Sequence, residues 1–191
     1  IDFYPISPKD AKLIDNQKWI PLLSIPKFLN VSNTNPIVNK PYIFTPEHLI
    51  IKWSRLIMKN SKSIIGINWQ GNPDTEIINH RGRSLPLETF SLITDNKNIK
   101  FLSLQKGYGT EQLENCSFKN KFVHCQEEIN KTWCFVETAA IIANCDLVIT
   151  SDTSVAHLAG GMGKPTWLLL KYIPDWRWGI NGNTSFWYQS M

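Results

Sequence analysis

The run from Leu147 to Leu170, LVITSDTSVAHLAGGMGKPTWLLL, constrains the fold of this chain more than any other stretch. Leu147 to Thr150 is short, apolar and β-branched, and Thr166 to Leu170 is a second apolar run. Between them Val155, Leu158 and Ala159 have the spacing of a helical stripe facing a sheet. Gly160, Gly161 and Gly163 end that helix, Lys164 complements its negative C-terminal end, and Pro165 stops it from continuing. Roughly a dozen residues between two strands is the usual length of a parallel crossover. The run therefore reads as one βαβ unit, with the polar turn Ser151 to Ser154 at the end of its first strand.

Upstream the pattern keeps alternating. Strands are expected at Ser63 to Trp69, Lys100 to Leu104 and Phe122 to His124. Helices are expected at Pro86 to Asp95, Thr110 to Asn115 and Thr132 to Asn144. In the last of these, Trp133, Val136, Ala140 and Ile141, with Ala139 and Ala143 beside them, form a broad apolar face that reads as core. Strands alternating with helices predict an α/β fold, a Rossmann-like parallel sheet with helices on both faces. Thr45, Pro46 and Glu47 make a good start for a helix over His48 to Asn60, with Thr45 as its cap. Residues 1–46 are rich in proline and lack a sustained period, so they read as a connecting segment, with a short strand or helix somewhere in Trp19 to Leu29. The Rossmann-like domain is then 47–191.

Strand-end loops of such a sheet converge on one crevice beyond the carboxyl ends of the strands. At the key turn Ser151, Asp152, Thr153 and Ser154 can cap the following helix, whose free N–H groups attract phosphate. Asp152 is itself an anion, so its natural ligand is a hydroxyl-rich group such as a sugar, with phosphate left to Thr153, Ser154 and the amides; equally, Asp152 or Ser151 serves only as an N-cap. The loop after the first strand holds Asn68, Gln70, Gly71 and Asn72, followed by Arg81 and Arg83. Gly71 permits close backbone approach, and the two arginines offer planar forks suited to phosphate oxygens. His157, about one turn into the helix, either faces the site or braces it, and a brace is the commoner role for a lone histidine on an apolar helix. Trp176 and Trp178 are suited either to stacking on a sugar or base or to packing.

The strings GINWQGNP (Gly66 to Pro73), RGRSLPLETF (Arg81 to Phe90), FLSLQKG (Phe101 to Gly107), ETAAIIANCDLVITSDTSVAHLAGGMGKPTWLLL (Glu137 to Leu170) and IPDWRW (Ile173 to Trp178) resemble, in order, the catalytic region of bacterial glycosyltransferases fused to tetratricopeptide repeats. These are related to the heptosyltransferases of glycosyltransferase family 9. The resemblance implies a GT-B architecture of two facing Rossmann-like domains, this chain being mostly the second, donor-binding one. It places Arg83, and as a second candidate Arg81, against the diphosphate of a nucleotide sugar, and Gln105 near the ribose or base. It implies transfer of a sugar to an acceptor hydroxyl of a glycan, lipid-linked sugar or protein, with no metal or other cofactor. The general base belongs to the first domain in the relatives, so this chain is expected to be a fragment inactive alone, an expectation to which its end at Met191 adds. Two other classes fit the same crevice: a non-catalytic module that senses a nucleotide sugar, and a GT-B-like epimerase or hydrolase.

Composition narrows the remaining classes. The 191 residues, 42% hydrophobic and 19% charged, can bury one good core and part of another. The net charge of +4 is spread along the chain, which does not suggest a nucleic-acid partner. No run is apolar for the roughly 18 to 20 residues of a transmembrane helix and no signal peptide is evident, so a cytoplasmic place is expected. Cys116, Cys125, Cys134 and Cys145 form no CxxC pair, which argues for free thiols over a zinc site or disulfides. The first βα turn carries no G-x-G-x-x-G, which disfavours an NAD enzyme.

Overall fold

The computed structural model describes residues 20–32, 34–36, 40–57, 62–77, 82–179 and 182–191. The chain divides into two compact units, Ile1–Ile37 and Val38–Met191. In the first, a 3₁₀ turn at Leu22–Ser24 runs into the single-turn helix α1, Ile25–Phe28, inside the stretch where a short element was expected; Trp19 lies outside the described residues.

The second unit holds α2 (Glu47–Ile57), β1 (Ser63–Asn68), α3 (Pro73–Thr75), β2 (Ile99–Ser103), α4 (Gln112–Asn115), α5 (Gln126–Asn130), α6 (Phe135–Ala143), β3 (Leu147–Ser151), α7 (Ser154–Gly161) and β4 (Thr166–Leu169). The four strands form one parallel sheet in the order β2-β1-β3-β4. Phe122 adds a parallel bridge to Phe101, whose other side faces β1, so the chain visits the sheet in the Rossmann order 3-2-1-4-5. Because successive side chains of a strand point to opposite faces, β1, β2 and β3 each feed two cores. Ile64, Leu102 and Val148 pack with Trp53, Ile129, Ile141 and Ala159 on one face. Ile67, Phe101 and Ile149 pack with Leu87, Phe90, Leu113 and Phe118 on the other. Gly66 is required in β1 because a Cβ there would lie 2.9 Å from both Cys145 Sγ and Leu104 Cδ1.

The alternating sheet expected from the sequence is present, and the departures from it have physical causes. The segment expected as a helix over Pro86 to Asp95 is a 3₁₀ helix, Leu87–Ile93, which buries only Leu87 and Phe90. Phe122 to His124 gives a bridge, not a strand, because only the Phe122 position pairs with β2. The helix expected over Thr132 to Asn144 starts at Phe135. Its apolar face is misassigned at its start: Ala139 to Ile142 are buried, but Trp133 is 73% exposed and Val136 is also exposed. Thr45 does not cap α2, since its hydroxyl has no hydrogen-bond partner; residues 58–60 of that expected helix lie outside the described residues. Residues 40–46, expected in the connecting segment, join the second unit, where the Tyr42 and Ile43 N–H groups donate to the Gly161 carbonyl. Lys164 closes a different helix end from the one expected. Its Nζ donates to the carbonyls of Ala143 (3.0 Å) and Cys145 (2.6 Å), after α6. All four cysteines are thiols.

Candidate functional site

β1 and β3 are neighbours whose connections leave to opposite sides of the sheet, so a crevice opens between their carboxyl ends. There Asn68, Gln70, Gly71, Arg83, Gln105, Lys106, Thr153 and Ser154 line a cavity of about 390 Å³, together with Tyr108, Trp133, Phe135 and Thr138. That volume suits a small-molecule ligand.

Gln105 holds the polar end together. Its side chain is 3% exposed, and its Oε1 accepts from Asn68 Nδ2 (2.8 Å), Trp69 N (3.2 Å) and Gln70 N (3.0 Å). Its Nε2 donates to the carbonyls of Gln70 (2.9 Å) and Tyr108 (2.7 Å). Both amide protons are thus spent inside the protein, and Gln105 is a brace across the ends of β1 and β2 instead of the free donor that a ribose would need. Gln70 lines the crevice too, with its Oε1 accepting from Gln112 Nε2 (3.1 Å).

Asn68 carries the brace to β3. Its Oδ1 accepts from Thr153 Oγ1 (2.8 Å) and Thr150 Oγ1 (3.2 Å). Thr153 is the N-cap residue of α7, in extended conformation, yet its hydroxyl is committed to Asn68 and no side chain caps the helix. Ser154 and Val155, in the first turn, line the crevice, and no side chain caps the N–H groups of that turn. The start of α6 is likewise uncapped, and its residues Phe135 and Thr138 line the same cavity. Two helix N-termini with their partial positive charges therefore meet there.

Arg83 adds a full charge. Its Nε pairs with Glu76 Oε1 at 3.3 Å and its Nη1 donates to the Asp152 carbonyl at 3.3 Å. Ser84 Oγ donates to the same Glu76 carboxylate and accepts from Gly71 N (2.9 Å). The guanidinium lies over Gly71 so closely that a Cβ there would be 2.3 Å from Nη2, so glycine is what lets the fork reach the crevice. Nη2 itself makes no hydrogen bond among the described residues. Arg81 lies outside the described residues.

The remaining expected site residues separate from these. Asp152 is buried and does not line the cavity; its carboxylate makes no hydrogen bond among the described residues, and its field is felt at His157. The neighbouring Ser151 Oγ is buried and has no hydrogen-bond partner. His157 faces the C-terminal segment, where its Nδ1 meets Tyr188 Oη at 2.8 Å and its ring stacks on Trp178 at 5.0 Å. Burial first, and then the Arg177 charge, hold its pKa below the usual histidine range. It is a brace, and Trp178 packs against it, whereas Trp176 is exposed and meets Trp187 edge to face.

Four groups that line the crevice were not expected as site residues. Lys106 is half-buried, and its Nζ donates to the Thr132 carbonyl and to Thr132 Oγ1 (2.5 Å). Burial lowers its pKa from the usual lysine value. The exposed rings of Tyr108, Trp133 and Phe135 complete the other three. No local signal set Trp133 apart, because apolar helical spacing continues through it although α6 starts only at Phe135.

Among the described residues no cluster of His, Cys, Asp and Glu could hold a metal ion, and no helix is long and apolar enough to cross a membrane. The chain matches no protein-family model, no curated protein and no solved structure.

Proposed function

We propose that this chain is the donor-binding part of a glycosyltransferase and that the crevice takes the diphosphate of a nucleotide sugar. The observation that carries this reading is the convergence of two uncapped helix N-termini with Arg83 at the switch point of a Rossmann-ordered sheet. An oxyanion with several oxygens is the ligand that such an arrangement of fixed donors favours. The five ordered strings resembling family 9 glycosyltransferases support the choice of a sugar nucleotide over other phosphates.

In the transfer, the bond from the anomeric carbon to the diphosphate breaks and negative charge grows on the departing group. Arg83 Nη2 and the Ser154 and Val155 N–H groups would stabilise that charge without having to reorganise. The base that deprotonates the acceptor hydroxyl belongs, on this reading, to a partner domain, and the acceptor contacts lie there also.

The test is calorimetric titration of the chain with UDP, CDP, IDP and ADP, and with uridine, repeated on Arg83→Ala. Binding of at least one diphosphate, weakened roughly 10- to 100-fold without Arg83 and absent for uridine, is expected. If no diphosphate binds, or if Arg83→Ala changes nothing, the reading fails.

A further inference from the structure

The end of the crevice away from Arg83 has a chemistry of its own, and it bears on which nucleotide enters. Two loops face each other there, 106–108 after β2 and 132–134 before α6, with Gly107 placed so that a Cβ would touch the Trp133 ring at 3.6 Å. Tyr108, Trp133 and Phe135, 55%, 73% and 60% exposed, present three aromatic rings to one cavity. Rings exposed at a concave site offer a platform for a flat heterocycle.

The polar groups around that platform are one-sided. The carbonyl of Gly107 already accepts from Thr110 N and Oγ1, and that of Tyr108 from Gln105 Nε2. The carbonyl of Thr132 accepts from Lys106 Nζ, and that of Cys134 from Thr138 N and Oγ1. A donor, in contrast, remains. An ammonium has three N–H groups, of which Lys106 gives two to Thr132 and keeps one. A ligand edge that presents donors would meet four carbonyls that each already hold at least one donor, whereas one that presents a carbonyl would meet the uncommitted N–H of Lys106.

We infer that the crevice selects a nucleobase with a keto group on its recognised edge, as in uracil or hypoxanthine and guanine, over the amino-bearing cytosine and adenine. Lys106 reads the carbonyl while Trp133, Phe135 and Tyr108 hold the face of the ring. The inference rests on the nucleotide reading above and adds to it the class of base.

Two pairs of ligands isolate the edge, because each keeps ring size and diphosphate constant: UDP against CDP, and IDP against ADP. Titrated into the whole chain, the keto member of each pair should bind about tenfold more tightly. Lys106→Met should bring both ratios close to unity, and Lys106→Arg, which keeps a cationic donor, should retain the preference. Thermal unfolding of each variant checks that it is folded. Equal affinities within both pairs, tighter binding of the amino member, or a preference that survives Lys106→Met would overturn the inference and leave the diphosphate site standing. Failure of all four to bind would remove the nucleotide reading and this inference together.

Discussion

The two ends of the crevice are built in opposite ways. At the diphosphate end the side chains are cross-braced: Gln105 ties Asn68, Trp69, Gln70 and Tyr108, Asn68 ties Thr153, and Glu76 ties Arg83. At the aromatic end Tyr108, Trp133 and Phe135 stand exposed, with only Lys106 anchored by hydrogen bonds to Thr132. Fixed dipoles are what a charged ligand needs, since their orientation is settled before it arrives. Flat rings tolerate adjustment, because stacking depends weakly on in-plane position.

Gln105→Leu attacks this contrast most severely. It leaves three donors without their acceptor and two carbonyls without their donor in a nearly dry site, which should cost at least about 3 kcal/mol of stability, read from urea unfolding. A loss under about 1 kcal/mol would mean that the polar end is not braced by this amide. Gly71→Ala comes next and is more selective. Its methyl occupies the place of the Arg83 guanidinium, so diphosphate affinity should fall about tenfold. If affinity is unchanged, Arg83 reaches its ligand by another path.

The polar end was legible in the sequence and the aromatic end was not, for a reason that lies in the residues. Gly71, Thr153 and Ser154 stand directly after strands, and in a parallel sheet the strand ends fix where such residues go, whereas Arg83, beyond α3, was placed by the resemblance. What each polar atom does was less visible. Gln105 was expected to meet a ribose, but it is spent on main-chain groups 35 residues away in the chain, a partnership that no local pattern announces. Trp133 was assigned to the core because it is apolar and helical spacing continues through it. The helix in fact starts two residues later, at Phe135, and the ring is left outside the stripe. The parallel sheet with helices on both faces followed from the alternation of strands and helices, but the order of its strands was not read from the sequence.

Trp133→Ala separates binding from folding at the aromatic end. With the ring largely in solvent, its loss should change stability by less than about 0.5 kcal/mol. One lost stacking partner should weaken nucleotide binding by about 1–3 kcal/mol, which calorimetry resolves easily. Bare pyrophosphate, which has no base to stack, should bind the variant and the parent alike. A drop in stability comparable to that of Gln105→Leu would instead return Trp133 to the core and erase the contrast between the two ends.

The smallest expected effect comes from behind the diphosphate end, where α7 is held by His157 against Tyr188, whose hydroxyl also meets Tyr42. Burial and Arg177 lower the His157 pKa from 6.5, with Asp152 and Asp175 pulling the other way, so the folded chain takes up a proton less readily than the unfolded one. Above pH 6.5 both states are neutral and this residue adds no pH dependence. Below it the unfolded chain binds more protons, so stability should decline as pH falls toward the folded-state pKa. Urea midpoints at about pH 7.5 and about pH 5.5 measure that decline, and His157→Gln, which keeps a polar partner for Tyr188, should make it shallower. If the slope is the same in the variant, the acid sensitivity belongs to other groups, and the rigidity of the diphosphate end does not depend on the packing behind α7.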